Sequence, residues 1–108
     1  MKISKETDFK LFHDAKVGLL KYDYENKKIE FHLYLDSAFQ PKKGEAIIKA
    51  AIVESLQIMS HEPWGKGIYI SQLSVEEKNG HYIMIILLNS GATFVIDAKA
   101  FELEFKNE

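Results

Sequence analysis

The chain contains no cysteine among its 108 residues, and it has only two prolines and one tryptophan. Without cysteine it can form no disulfide, no thiolate zinc site and no cysteine nucleophile, which suits a reducing compartment. An excess of charge of one sign is also missing, since 14 basic side chains stand against 16 acidic ones and leave a net charge of −2. No strong field is therefore expected to attract nucleic acid or an anionic membrane.

Long hydrophobic runs are absent as well. The longest run, residues 82–88, is far too short to cross a bilayer as a helix. The first six residues are mostly polar and lack the apolar stretch of a secretion signal. With 46% hydrophobic and 28% charged residues, the composition is that of an ordinary globular protein. These features predict one cytoplasmic domain over residues 1–108, with residues 1–8 frayed.

Alternation with a period of two predicts most of the secondary structure. In residues 29–35 apolar side chains alternate with polar ones, which is the pattern of a half-buried strand, and residues 17–24 suit the strand before it. Asn79-Gly80 indicates a type I′ hairpin turn, because both residues tolerate positive φ. Further strands are predicted at 68–75, 82–88, 93–96 and 101–105. The run 82–88 is apolar on both faces and is expected to be a central, covered strand.

Residues 44–60 allow two interpretations. Ala46, Ala50 and Ala51 favour a helix by propensity, and Glu45 and Lys49 have the spacing of a helical ion pair. The helical stripe of apolar side chains is nevertheless poor, and two strands joined by a kink near Glu54-Ser55 fit slightly better. The expected fold is mainly β, a single antiparallel sheet of about seven strands, curled or folded into a sandwich or half-barrel. The alternative is an α+β fold with residues 44–60 as one helix packed on the sheet.

Three short segments together resemble a loosely defined group of small bacterial domains, some of which are classed as immunity proteins of toxin systems. The segments are Phe12-His13-Asp14, Glu62-Pro63-Trp64-Gly65 and Leu88-Asn89-Ser90-Gly91. The similarity covers most of the chain, and in that pattern the middle segment is a strand ending in Val53, Leu56 and Ile58. The resemblance implies no catalytic residues. It implies a protein that blocks a toxin of the same cell lineage.

No complete catalytic or metal-binding set is visible in the sequence. His13-Asp14 lacks the second such pair that a metal-dependent phosphohydrolase needs, and His61-Glu62 has no His-x-His or His-x-x-x-His spacing to support it. A nucleophile elbow and a phosphate-binding loop are also missing. We therefore expect no enzyme, no catalytic residue, no metal and no cofactor. Asp14 is expected to close a turn, with the ring of His13 packed near the first strand.

The aromatic side chains support a binding function instead. Trp64 is either a packed lid on the core or an exposed anchor, and its rigid Pro/Gly surroundings favour a mainly structural role. Tyrosine and tryptophan are enriched at interface hot spots, and Tyr34 lies on the polar face of its strand among acidic residues. The expected binding residues are Glu30, His32, Tyr34, Glu62, Trp64 and Tyr69.

The lead hypothesis is a non-enzymatic protein-binding domain of the immunity type, whose partner is another protein, such as a basic toxin domain. One alternative is a small-molecule- or metal-binding domain. Another is a structural protein that forms homodimers along an edge strand at residues 101–106. Neither nucleic acid nor a membrane is an expected partner.

Overall fold

The computed structural model consists of one antiparallel sheet of six strands, preceded by a single turn of 3-10 helix at Lys10–Phe12. The strands are β1 Lys16–Asp23, β2 Lys28–Leu35, β3 Gly44–Met59, β4 Ile70–Lys78, β5 His81–Leu88 and β6 Thr93–Phe105. The structure describes residues 2–4, 7, 9–35, 44–65 and 67–106. Pro41 and Gly44 predict a loop at residues 36–44, and most of that segment lies outside the described residues. Within them, no helix has the length and apolar character needed to cross a membrane.

The strands lie in the order β1-β2-β3-β6-β5-β4, and every neighbouring pair is antiparallel. The predicted mainly β class is confirmed, and the α+β alternative is wrong because residues 44–59 form a strand. This segment has helical propensity, but each edge of its first half pairs with another strand, β2 on one side and β6 on the other. Tertiary pairing therefore outweighs local preference.

Two long strands replace predicted shorter ones, which lowers the strand count from about seven to six. Gly44–Met59 is one strand of 16 residues, and the kink expected near Glu54-Ser55 is a β-bulge inside it. Thr93–Phe105 is likewise one strand of 13 residues. β5 pairs only with residues 93–98 of β6, and on that side of the sheet Ile3 and Lys2 meet Phe101 and Glu102 instead. Homodimerisation along residues 101–106 stays a prediction.

The long strands let the sheet curl over its own core. The first half of β3 pairs with β2 and the end of β6, and its second half pairs with the start of β6. Phe31 of β2 meets Phe94 at the start of β6, with ring centroids 5.3 Å apart and planes at 85°. Since these rings belong to opposite halves of the sheet, their contact shows that the inner faces of the two halves pack on each other. The core is thus enclosed by a single layer of bent sheet.

The two edge strands meet at one end of the curl without closing it into a barrel. Lys16 of β1 forms a bridge with Tyr69, which precedes β4. The N–H of Ile70 donates to the carbonyl of Ala15 at 2.9 Å, and the N–H of Val17 donates to the carbonyl of Ile68 at 2.7 Å. Residues from opposite ends of the strand order therefore become neighbours.

Three local details bear on the predictions. Lys2 bridges to Glu102, and Ile3 is buried with its N–H bonded to the carbonyl of Phe101, so these two residues are held within the segment expected to fray. Asn79 and Gly80 have φ of 52° and 84°, as the predicted hairpin requires. Strand β5 is central, as predicted, but its outward side chains are half-buried rather than fully covered.

Ile52 lies beside the bulge with φ of 56°, a left-handed conformation that is unfavourable for a β-branched residue. Its side chain is 57% exposed, so little burial would be lost on truncation. We expect Ile52→Gly to raise the free energy of unfolding by about 1 kcal/mol, because relief of the strain exceeds the added entropy of glycine in the unfolded chain. Urea unfolding measures this change. Ile52→Ala keeps a Cβ and should bring no comparable gain, and a loss of stability in Ile52→Gly would contradict the prediction.

Candidate functional site

A row of exposed side chains crosses the sheet on the face opposite the core, here called the outer face. Tyr34 of β2 pairs with Glu45 of β3 on one side and with Lys16 of β1 on the other. Lys16 in turn bridges to Tyr69. Directly paired residues of antiparallel strands point to the same face, so the four side chains form one line. Tyr34 is 39% exposed and Tyr69 is 43% exposed. The fold thus brings the two predicted binding tyrosines into one row, with Lys16 between them.

The ring of Tyr34 is held close to the backbone of the neighbouring strand. A Cβ placed on Gly18 of β1 would lie 2.5 Å from Cε2 of Tyr34, so the ring occupies the space that the missing side chain leaves. This close approach needs a glycine. It supports the tyrosine ring from below and limits the conformations it can adopt.

His32 lies on the same face but is mostly buried, with its side chain only 13% exposed. Its Nδ1 is 2.7 Å from a carboxylate oxygen of Glu45. Its Nε2 lies 3.5 Å from Glu30 and forms no hydrogen bond with any described residue. His32 is therefore a support within the face, flanked by two carboxylates, rather than a freely available contact. Glu30, with its side chain 45% exposed, remains open to solvent.

A surface ion pair completes this part of the outer face. The ammonium of Lys49 lies 2.9 Å from a carboxylate oxygen of Glu104, and both side chains are about half exposed. The hydrogen bond to Glu104, followed by its charge, raises the pKa of Lys49, and the same bond lowers the pKa of Glu104. The negative charge expected around Tyr34 is thus partly compensated by Lys16 and Lys49.

Trp64 is presented on a rigid turn. The N–H of Trp64 donates to the carbonyl of Ser90 at 3.1 Å, and the N–H of Gly65 donates to the carbonyl of Glu62 at 3.2 Å. Pro63 packs against Gly91 so closely that a Cβ there would lie 2.8 Å from its Cδ. The ring of Trp64 is nevertheless 69% exposed. The turn is structural, as the Pro/Gly setting suggested, but the indole is not a lid on the core.

The three segments that carry the resemblance converge on the start of β4. From the first, the N–H of Asp14 donates to the carbonyl of Ile70 at 2.8 Å, and Nδ1 of His13 lies 3.0 Å from the carbonyl oxygen of Ser71. From the third, the N–H of Asn89 donates to the carbonyl of Tyr69 at 2.8 Å. The second segment joins the third through the hydrogen bond from the N–H of Trp64 to the carbonyl of Ser90. Asp14 has φ of 69° and forms part of a turn, as expected, so these segments build the corner of the fold.

The predicted site residues therefore fall into two groups. Glu30, His32, Tyr34 and Tyr69 share the outer face. Tyr69 is hydrogen-bonded to Asn89, and the next residue, Ser90, holds the turn that carries Glu62 and Trp64. His13, His61 and Glu62 do not gather into a metal-binding group. The cluster that metal-capable groups do form within the described chain is Glu54, His81 and Asp97. The sequence alone did not reveal this cluster, because its members are distant in the chain and the position of Glu54 depends on the bulge in β3.

An open depression of about 550 Å³ lies beside His13, between the 3-10 turn and the start of β4. It is lined by Phe9 and Leu73 together with the polar side chains of Thr7, Lys10, His13, Ser71 and Gln72. Small-molecule sites usually bury most of the surface of the ligand, which a depression this open to solvent does not do. The depression therefore gives little support to the small-molecule alternative.

No protein-family model matches the chain, and neither does any curated protein sequence. Among solved structures, the crystal structure of an uncharacterized protein from Neisseria gonorrhoeae is similar to it. The two align with a TM-score of 0.63 and 13% sequence identity, over 86% of this chain and 92% of the other. At this identity the likeness concerns the fold alone.

Proposed function

We propose that this chain is a non-enzymatic binding protein that holds a protein partner with Trp64 as its anchor. The observation that carries the proposal is an indole that is 69% exposed on a hydrogen-bonded turn. Tryptophan side chains are highly buried on average, so this degree of exposure in an ordered segment is unusual. Because the backbone is already held, little conformational entropy remains to be lost there on binding.

Tyr69 and Tyr34 extend the contact from the anchor across the outer face. Tyr69 is linked to the Trp64 turn through Asn89 and Ser90, and Tyr34 follows in the same cross-strand row after Lys16. Tyrosines offer a large contact area with few rotatable bonds, and a hydroxyl that can bond at the rim of an interface. Glu62 and Glu30 supply negative charge at either end of this surface and favour a partner with basic groups facing it.

The partner class rests on the resemblance to small bacterial immunity proteins. We propose that the partner is a toxin domain with a basic surface, and that binding blocks it. A gene for a large secreted toxin beside the gene for this protein would identify the candidate directly. The net charge of −2 is compatible with such a partner but does not select it.

Truncation of the anchor tests the proposal. We expect Trp64→Ala to weaken binding to the neighbouring toxin domain at least 30-fold in calorimetric titration, which corresponds to about 2 kcal/mol, the size of an interface hot spot. The indole is exposed, so the unfolding free energy should change little. In cells that express the toxin domain, the wild-type protein should restore growth and Trp64→Ala should protect poorly.

Tyr24 offers a matched control, because it is an exposed aromatic residue, at 71%, in the turn between β1 and β2. Tyr24→Ala should bind the toxin domain as the wild-type protein does. Equal affinity of wild-type protein, Trp64→Ala and a Tyr34→Ala/Tyr69→Ala variant would exclude this surface. Absence of binding by the wild-type protein would exclude that toxin domain as the partner.

A further inference from the structure

A second site is formed where β3, β5 and β6 lie side by side on the outer face. One ligand atom from each of Glu54, His81 and Asp97 lies within 4.8 Å of the others. Nδ1 of His81 is hydrogen-bonded to a carboxylate oxygen of Asp97, and these two side chains are only 20% and 22% exposed. An imidazole and two carboxylates thus converge at one partly buried point.

The bulge in β3 brings Glu54 to this point. Val53 pairs with Ala98 and Ser55 pairs with Asp97, so Glu54 is an extra residue inserted between two consecutive partners on β6. Glu54 therefore lies next to Ser55, the residue of β3 that faces Asp97. Bulges are common next to functional sites, where they redirect a side chain. The left-handed conformation of Ile52 occurs at the same place, where the pairing of β3 with β2 ends at Ala51.

The electrostatics of the cluster favour a cation. Two carboxylates at this separation repel each other, and the neutral form of His81 would leave the group with two negative charges. Lys78 pairs with His81 across β4 and β5, yet no ion pair joins it to either carboxylate among the described residues. A divalent ion would offset both charges and use the imidazole nitrogen as a third ligand.

We propose that Glu54, His81 and Asp97 form a binding site for Zn²⁺ or a similar late first-row divalent ion. Zinc accepts imidazole nitrogen and carboxylate oxygen, and three protein ligands leave its fourth position for water or a partner's side chain. The set is a poor match for Ca²⁺, which takes six to eight oxygen ligands, and for Mg²⁺, which prefers oxygen ligands in octahedral geometry. The site lies apart from Trp64, and it does not depend on the proposed binding of a toxin.

Calorimetric titration of the metal-free full-length protein with Zn²⁺ tests the site. We expect one ion per chain in the wild-type protein and at least a tenfold weaker affinity in Glu54→Gln, because loss of a ligand should cost at least as much as loss of a residue that supports a ligand. Glu54 is exposed, so this variant should fold. Glu25→Gln makes the same charge change in the turn between β1 and β2 and should bind Zn²⁺ as tightly as the wild-type protein does.

A spectroscopic measurement locates the ion independently. On addition of Zn²⁺ to the wild-type protein, the ring resonances of His81 should shift, and those of the exposed His61 should shift much less. Equal affinity of wild-type protein and Glu54→Gln would overturn the site, and so would tighter binding of Ca²⁺ than of Zn²⁺. An unchanged His81 ring signal at saturating Zn²⁺ would also overturn the site.

Discussion

Replacement of Phe31 by alanine should lower the free energy of unfolding by about 3–5 kcal/mol, a large part of the total stability of a domain this size. Phe31 is fully buried and lies in a cross-strand row with Leu20, Ile48 and Leu103. Its edge-on contact with Phe94 also joins the two halves of the curled sheet. The variant would lose buried area and leave a cavity where those halves meet. Urea unfolding followed by far-UV circular dichroism measures the loss.

Two further variants separate cavity formation from a general effect of truncation. Phe31→Leu fills most of the space and should cost less than half as much as Phe31→Ala. Met59→Ala removes a large side chain that is 64% exposed at the end of β3, and it should change stability by no more than about 0.5 kcal/mol. Similar losses in Phe31→Ala and Met59→Ala would show that the halves of the sheet do not depend on the Phe31 contact.

Gly91→Ala should destabilise the protein by about 2–4 kcal/mol and displace the turn that carries Trp64. Gly91 has φ of 98°, which disfavours any residue with a Cβ, and the strain accounts for about 1–2 kcal/mol. The added methyl group would also lie 2.8 Å from Cδ of Pro63 and 3.1 Å from Cε3 of Trp64. Overpacking of this kind costs about 1–3 kcal/mol. Since Trp64 is the sole tryptophan, its fluorescence reports displacement of the turn directly.

Gly80→Ala is the matched control for the clash. Gly80 also has a positive φ, of 84°, but a Cβ there would meet no atom within 4 Å. It should show the backbone cost alone, about 1–2 kcal/mol, with unchanged tryptophan fluorescence. Equal losses of stability in Gly91→Ala and Gly80→Ala, together with an unchanged emission of Trp64, would contradict the close packing of Gly91 against Pro63 and Trp64.

The elements that could be predicted are those whose information is local. The alternation in residues 29–35 places Phe31 and Leu33 inward in β2, because side chains of a strand point to opposite faces in turn. Asn79-Gly80 forms the expected hairpin turn, because positive φ is an intrinsic tolerance of these two residues. The predicted number of strands was too high, because the continuity of a long strand depends on its pairing with a neighbouring strand. Residues 93–105 contain a polar and alanine-rich middle, and their pairing with β3 keeps them in one strand.

By itself the sequence determined a cysteine-free, mainly β chain, its alternating strands and its exposed turns. Only the tertiary structure decided which distant residues meet. The bridge from Lys16 to Tyr69 aligns that tyrosine with Tyr34, and the bulge at Glu54 places a carboxylate beside His81 and Asp97. The physical reason is that alternation assigns a side chain to a face, whereas register and bulges depend on the partner strand. A binding surface built across several strands is therefore set by the way the sheet curls.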